Sequence, residues 1–450
     1  MMSKLNDDTN ETQVYNFMHF LEMPLKIVGC WDWYEKPRNN YHVFVNNTYL
    51  SMVLFILANL LLSLIVHLYT EWVDTMSSLD KMADGLPLLT SVAIVAYFSL
   101  YKQELYDLIR FMNENFKCRS ARGLTNTTML RSYRIARNFA YFYTACTVFS
   151  VTMYVFLPVL AHLWTKQPLQ PWIYLDVTRT PFIVIVFLRQ CIAQAFVALA
   201  LGQLGVFFAA NSILLCGQLD LLCCSLRNSR YTALLQQGVC HRALVAQDYG
   251  IQEDEKHNHL YNHAQMVDSE YHYDTKVMKT SMNKRMKFDI YSASYDPATE
   301  AALRDCARVL QAVYAYQQRF ERFVSPLLVL RVVQVTLYLC TLLYAATLKF
   351  DMITVEYLGA VALDIFVYCY FGNQIICQAE RVATAAYQSA WAAAARGPRR
   401  ALLALQRAAA ARRALAVRAG RFLPMDLHTF VVIIKTSFSY YTLLVSVNEK

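Results

Sequence analysis

The sequence predicts an all-α membrane protein with seven transmembrane helices, a cytoplasmic N-terminus and an extracellular C-terminus. Of its 450 residues, 56% are hydrophobic and only 17% are charged, whereas soluble globular domains average about 25% charged residues. Seven stretches are apolar over about the 20 residues that a helix needs to cross a bilayer. Basic residues concentrate in alternate connecting segments, and this asymmetry predicts the orientation.

The first predicted span, residues 49–68, contains no Asp, Glu, Lys or Arg and is apolar on every face. A helix of a soluble core would instead alternate apolar and polar faces. The second span is short and has Pro87 near its start, so six spans are the main alternative. The seven spans are predicted at residues 49–68, 86–101, 139–164, 180–201, 323–348, 357–376 and 429–447.

The distribution of Lys and Arg predicts which side of the membrane each segment occupies. Segments 1–42, 102–137, 220–322 and 380–421 together carry 34 basic residues, against 5 in the segments on the other side. Because basic segments stay in the cytoplasm, the N-terminus is predicted to be cytoplasmic and, with seven spans, the C-terminus to lie outside. This direction argues against a G-protein-coupled receptor, whose N-terminus is extracellular.

These spans divide the chain into six segments. The outer loops are short and contain no Cys, so any ligand site is expected among the helices. The segments are a cytoplasmic N-terminal segment (1–42), spans 1–4 (43–219), a cytoplasmic loop with a polar insertion and a helix (220–322), spans 5–6 (323–379), a cytoplasmic helix (380–424), and span 7 with a short outer tail (425–450).

The two large cytoplasmic segments contain helical patterns. Apolar residues recur every three to four positions over 298–322, which predicts a helix continuous with span 5. The Ala- and Arg-rich stretch before span 7 is rich in strong helix formers, with Leu402, Leu405, Ala409 and Leu415 as an apolar stripe. We expect a packed helix at a subunit interface. A nucleic-acid contact is the other interpretation of a basic helix, and the predicted spans argue against it.

Motifs for catalysis, cofactors and metals are not evident. The sequence has no phosphate-binding Gly loop, H-E-x-x-H motif or nucleophile elbow, so neither an enzyme nor a cofactor is predicted. His257, His259 and His263 invite a metal interpretation, but their spacing suits neither one helical face nor a zinc finger. The twelve Cys include no C-x-x-C, and Cys223 and Cys224 are expected to be buried thiols.

Ionisable residues within spans are costly and therefore functional candidates. Arg189, Asp364 and Lys435 lie within spans 4, 6 and 7, and Asp364 is expected to pair with a cation on a neighbouring helix. Arg331 lies near the inner end of span 5, from where its side chain is expected to reach the membrane surface. The sequons at Asn10, Asn46 and Asn126 fall on the cytoplasmic side or at its border, so no glycan is expected.

From residue 366 onward the sequence resembles the insect odorant receptor family. The runs YCYFGNQI (368–375) and AAYQSAW (385–391) are similar to its sixth span and the segment that follows, and residues 419–444 are close to its terminal signature. Residues 169–181 and 321–330 agree less specifically, and the first 160 residues match only in layout. The insertion around 250–297 exceeds the usual loop of ligand-tuned members.

The resemblance implies a ligand-gated, non-selective cation channel of four subunits in the plasma membrane. It implies an odorant-tuned subunit that works with a co-receptor subunit, cytoplasmic helices that form a central anchor, and a pore lined by span 7. A gustatory-type channel of the same superfamily is the alternative. Gustatory receptors tend to end in a Thr-Tyr…Gln-Phe pattern, whereas this chain has Ser446 near that Gln position.

The resemblance also implies where a small, volatile, largely apolar ligand would bind, in the outer half of spans 2, 3, 4 and 6. The candidate ligand-binding residues are Ile94, Tyr97, Ser150, Met153, Tyr154, Leu157, Phe187, Cys191, Gln194, Leu358, Val361, Ala362 and Ile365. The candidate pore and gate residues are Leu443, Leu444, Ser446 and Val447. A hydrophobic ring at Val447 could close a pore by dewetting. Ordinary helix packing is the alternative for each residue.

Overall fold

The chain folds into a bundle of long α-helices. The computed structural model describes residues 16–35, 37, 39–70, 79–123, 127–165, 180–239, 244, 292–348, 352–389, 395–409 and 415–448. The helices in these ranges are α1 (His19–Val28), α2 (Asn40–Thr70), α3 (Leu79–Leu100), α4 (Lys102–Asn115), α5 (Leu130–Thr165), α6 (Thr180–Arg227), α7 (Ser229–Gln236), α8 (Asp296–Leu348), α9 (Met352–Tyr387), α10 (Arg396–Ala409) and α11 (Leu427–Asn448).

Each predicted span coincides with one of these helices. Spans 1 to 4 lie in α2, α3, α5 and α6, and spans 5 to 7 lie in α8, α9 and α11. Span 2 ends at Leu100, and Tyr101 forms a turn between α3 and α4. The apolar stretches therefore predicted the helices correctly, including the short second one with Pro87 inside it.

Four described helical stretches are long and apolar enough to cross a membrane: Asn40–Thr70, Val184–Arg227, Ala293–Tyr344 and Tyr357–Tyr387. The pair Gly85–Leu100 and Lys102–Asn115, bent by 68°, makes a fifth candidate if it is one span. Within the described residues the protein therefore has several helices apolar enough to cross a membrane. The count of seven spans stays a prediction.

Several helices extend well beyond the apolar spans. Helix α8 is continuous over 53 residues, which confirms that the helical pattern of 298–322 runs into predicted span 5. Helix α6 likewise continues for 26 residues past the predicted end of span 4, to Arg227. At 1.5 Å per residue, these helices are too long for a bilayer alone, and their additional turns pack together in the basic half of the molecule.

The segment before α11 is only partly helical. Helix α10 begins at Arg396, so Gly397 and Pro398 lie in its first turn, where Pro is tolerated. The helix is described to Ala409, and Arg418–Ala419 then pairs antiparallel with Leu423–Pro424 in a short hairpin. Gly420 has φ +61° at the turn, a conformation that favours glycine.

The core of the bundle lies where α3, α6, α8 and α9 meet. Phe98, Phe207 and Phe323 form one aromatic cluster, with ring centroids 5.3 to 5.9 Å apart. Phe208 continues this packing to Tyr368 of α9, 5.4 Å away. This aromatic layer fixes α9 against α6.

Candidate functional site

Helices α5 and α6 run antiparallel and place two groups of candidate ligand residues at the same level. Gln203 Nε2 donates to Thr144 Oγ1 at 3.0 Å, and Gly202 faces Thr147 one turn further along α5. Continuing this register brings Met153 of α5 level with Gln194 of α6. Candidates chosen separately on spans 3 and 4 therefore lie at one height in the bundle.

The burial of these candidates differs between the two helices. On α6, Phe187 and Cys191 are buried and Gln194 is partly buried. On α5, Ser150 and Met153 are exposed on the single chain, so this part of α5 has an uncovered face. The side chains of Tyr154 and Leu157 lie outside the described ones.

On α9 the candidates become more buried toward the middle of the helix. Leu358, Val361 and Ala362 are half-buried, and Ile365 is fully buried. Leu358 and Val361 pack against the main hydrophobic core. These residues lie in the N-terminal part of α9, next to the polar group at Asp364.

On α3 the two candidates belong to the packed core. Ile94 is buried, and the Tyr97 hydroxyl donates to the backbone carbonyl of Phe323 at 3.0 Å. Tyr97 also packs edge-to-face on the Phe323 ring, with centroids 5.6 Å apart. The structure therefore joins Tyr97 to α8 and the aromatic cluster, and its role as a ligand contact stays a prediction.

A buried ion pair lies next to the candidate residues of α9. Arg331 of α8 forms an ion pair with Asp364 of α9, with both side chains largely buried. Tyr143 of α5 donates to the other Asp364 oxygen at 3.3 Å, and Arg331 also binds Gln334. The expected pairing of Asp364 is confirmed. The expectation that Arg331 reaches the membrane surface is wrong, because the carboxylate of Asp364 holds its guanidinium in the core.

This polar cluster joins three helices by charge and hydrogen bonds. Tyr143 and Gln334 could not be predicted from the sequence, because a single Tyr or Gln within an apolar helix gives no signal of its partner. Gly205 of α6 brings that backbone beside the cluster, since a Cβ built there would lie 3.5 Å from the Tyr368 hydroxyl and 3.9 Å from Asp364. The cluster is thus enclosed by four helices.

The other ionisable residues of the spans have different environments. Arg189 of α6 donates to Asn59 of α2 and to Ser63 Oγ at 3.2 Å, so neutral polar groups bind this cation. Lys435 of α11 is exposed on the single chain. Arg189 therefore connects α2 to α6, whereas Lys435 is available to solvent, lipid or another subunit.

The candidate pore residues lie near the end of α11. Leu443 is 59% exposed on the single chain. The side chains of Leu444, Ser446 and Val447 lie outside the described ones, so their role in a gate stays a prediction. Exposed apolar side chains on α11 also include Val431, Phe438 and Tyr440. This helix has an uncovered face.

The apolar stripe predicted before span 7 is confirmed where the structure describes it. Leu402, Leu405, Ala409 and Leu415 are buried, as the predicted stripe requires. The amide of Asn46 is buried and pairs twice with the backbone of Tyr34, at 3.1 and 2.9 Å. The expected absence of glycans at the three sequons stays a prediction. Asn10 and Asn126 lie outside the described residues.

The cysteines in the described part of the chain are thiols rather than bridges. The described cysteines are all free, with Cys223 and Cys224 buried as expected. Burial raises the pKa of the Cys30 thiol to about 12, which keeps it protonated and unreactive at neutral pH. Among the described residues, no group of three His, Cys, Asp or Glu could hold a metal ion. His257, His259 and His263 lie outside those residues.

An open groove of about 570 Å³ lies near the N-terminal segment, away from the candidate ligand residues. Its lining includes Glu22, Lys26, Trp33 and His42. Lys26 and His19 both pair with Glu22, at 3.7 and 3.3 Å. This charged lining does not suit a largely apolar ligand.

Comparison with known proteins identifies the family. The profile of the 7tm odorant receptor family matches residues 85–438. This chain belongs to the 7tm odorant receptor family. Odorant receptor 83a of Drosophila melanogaster is 24% identical over 364 residues, which cover 79% of this chain and 77% of that protein. This is a family of receptors rather than enzymes.

Solved odorant receptors share the fold. The insect olfactory receptor OR5 from Machilis hrabei in complex with eugenol superposes with a TM-score of 0.69 at 14% identity, covering 96% of this chain and all of that one. The structure of the same receptor described without eugenol gives a TM-score of 0.66 at 15% identity. The similarity confirms a multi-helix membrane fold of the odorant receptor type.

Proposed function

We propose that this protein is the odorant-tuned subunit of a ligand-gated, non-selective cation channel. The observation that carries the proposal is the family match over residues 85–438, supported by a fold that covers nearly the whole chain. In this proposal the chain crosses the plasma membrane seven times, with its N-terminus in the cytoplasm. It assembles as a heterotetramer with an odorant co-receptor subunit.

The proposed ligand is a small, volatile and largely apolar molecule that binds among α3, α5, α6 and α9. Support comes from the common level of Met153 and Gln194 and from the half-buried apolar residues Leu358 and Val361. The insect olfactory receptor OR5 from Machilis hrabei, which shares the fold, forms a complex with eugenol. Apolar walls suit such ligands because binding then depends on hydrophobic burial and dispersion.

Gating in this proposal depends on α9 and the pore helix α11. An odorant that binds better when α9 has shifted favours the open channel, by no more than its preference for that state. Val447 would form a closing ring near the outer end of α11. Modification of a Val447→Cys subunit with a charged thiol reagent should abolish odorant current, and an unchanged current would count against this gate.

Electrophysiology in oocytes tests the proposed function. The chain is expressed alone, with a co-receptor subunit, and the co-receptor is also expressed alone, and each is exposed to a panel of volatiles. We expect odorant-evoked, non-selective cation current only when both subunits are present. Current from this chain alone would show a homomeric channel, and the absence of any response across a broad panel would oppose the proposal.

A further inference from the structure

Helix α9 touches the base of α11 through a backbone contact at a glycine. A Cβ built on Gly372 would overlap the carbonyl oxygen of Met425 and lie 3.1 Å from both the carbonyl carbon and the Cβ of that residue. Met425 lies two residues before α11 and is fully buried. Any side chain at position 372 would therefore have to separate α9 from the base of α11.

A second contact gives the direction of the two helices. The rings of Phe366 on α9 and Phe430 on α11 meet edge-to-face, with centroids 5.4 Å apart. Gly372 contacts Met425, and Phe366, which comes earlier on α9, contacts Phe430, which comes later in the chain than Met425. The two helices are therefore antiparallel neighbours, with the glycine contact at the base of α11.

The base of α11 is attached to α8. The Met425 amide donates to the Val417 carbonyl at 2.9 Å, which ties it to the short hairpin. That hairpin is bound to α8 because Gly420 N donates to Ser325 Oγ at 2.9 Å and Gln317 donates to the Ala416 carbonyl at 3.1 Å. Displacement of α9 toward Met425 would therefore press on a supported backbone.

The same face of α9 carries the buried ion pair. Asp364, Tyr368 and Gly372 are spaced by four residues, so they follow one another along one side of the helix. Asp364 is bound to Arg331 of α8 and lies about 12 Å from Gly372 along the axis, at 1.5 Å per residue. The candidate ligand residues of α9 begin beside Asp364 and extend outward.

We propose that Gly372 is a positioning residue that couples α9 to the pore helix. A ligand that shifts the outer part of α9 moves the helix about its attachment to Arg331. The shift reaches α11 at Gly372, because backbone there meets backbone with no flexible side chain to absorb it. This inference rests on the proposed channel function, and it specifies the place where ligand binding reaches the pore.

Gly372→Ala, compared with Gly359→Ala on the same helix, tests the coupling. Nothing lies within 4 Å of a Cβ built on Gly359, so both changes add the same methyl and the same helix propensity but only one alters the contact. We expect Gly372→Ala to raise the half-maximal odorant concentration about tenfold, within the usual range of coupling between sites. Surface density and thermal stability, measured in parallel, separate this change from a loss of folded receptor.

Equal dose–response curves for Gly372→Ala and Gly359→Ala would overturn the inference. If Gly372→Ala does not reach the surface, the double variant Phe366→Cys with Phe430→Cys tests the same contact without altering the glycine. A short bifunctional thiol reagent should block odorant current in the double variant and spare both single variants. Full current after complete cross-linking would also overturn the inference. An unresponsive wild-type pair of subunits would instead contradict the proposed function itself.

Discussion

At the scale of single residues, the pairing of Arg331 with Asp364 has a large energetic consequence. Both groups lie in the core of the bundle, where an unpaired charge is far more costly than on the surface. Tyr143 and Gln334 add hydrogen bonds that satisfy further atoms of the pair. The pair and its hydrogen bonds therefore hold α8, α9 and α5 together. Loss of either charge would leave the other charge buried without a counter-charge.

Substitution of one member of the ion pair should destabilise the protein much more than substitution of both. We expect Asp364→Ala to leave the Arg331 cation uncompensated and to destabilise the protein by about 3–5 kcal/mol. Replacing the pair by Arg331→Met with Asp364→Leu should recover most of this loss. The thermal midpoint in detergent and the surface fraction measure both effects. Glu300→Ala is the control, because Glu300 pairs with Arg304 at an exposed site. Additive effects of the two core substitutions would contradict this account.

A pair of neighbouring residues on α9 tests the ligand site. Val361 is half-buried against the core, whereas Leu363 is 58% exposed. Overfilling a packed site costs about 1–3 kcal/mol, so Val361→Phe should raise the half-maximal odorant concentration about tenfold or more. Leu363→Phe, a similar change on the outer face, should leave the concentration nearly unchanged. Equal responses of the two variants would remove Val361 from the candidate site.

At the scale of the elements, the length of the apolar stretches predicted the helices. It could not predict which polar residues of different helices pair with each other. Continuous apolar stretches identify the helices of all seven predicted spans, and the apolar periodicity after residue 298 correctly predicts that α8 is one long helix. The partner of Asp364 could not be found from the sequence, because Arg331 lies 33 residues away on another helix. The contact of Gly372 with Met425 also depends on how two helices meet, and one glycine in a span gives no sign of it.

The amphipathic pattern of α10 gives a prediction for that element. Leu405 is buried against the bundle, while Leu403, two residues earlier, is 44% exposed. Truncation of a buried Leu costs about 2–5 kcal/mol, whereas surface changes usually stay within about 0.5 kcal/mol. Leu405→Ala should therefore lower the thermal midpoint in detergent clearly more than Leu403→Ala. If Leu403→Ala instead disrupts co-assembly with the co-receptor without lowering the midpoint, the exposed face of α10 is a subunit contact.

At the scale of the whole molecule, the half that is rich in basic residues also holds the extensions of the long helices α6 and α8. Arg230 of α7, which directly follows the extension of α6, is buried and bound to Asp296 at the start of α8 at 2.8 Å and to the Ser292 carbonyl at 2.7 Å. Basic residues in this half therefore predict its location in the cytoplasm, and Arg230 also stabilises the helices packed there. The same half contains α10 and the hairpin before α11, so the predicted assembly surface and the start of the proposed pore helix lie in the same half.

This arrangement predicts an orientation that can be measured directly. Because 34 basic residues lie on one predicted side and 5 on the other, the N-terminus should remain in the cytoplasm. An antibody should reach an epitope tag at the C-terminus in intact cells, and a tag at the N-terminus only after permeabilisation. An Asn10→Gln variant should migrate like the wild type, since no glycan forms in the cytoplasm. Detection of the N-terminal tag in intact cells would reverse the topology and with it the predicted location of the ligand site in the outer half of the bundle.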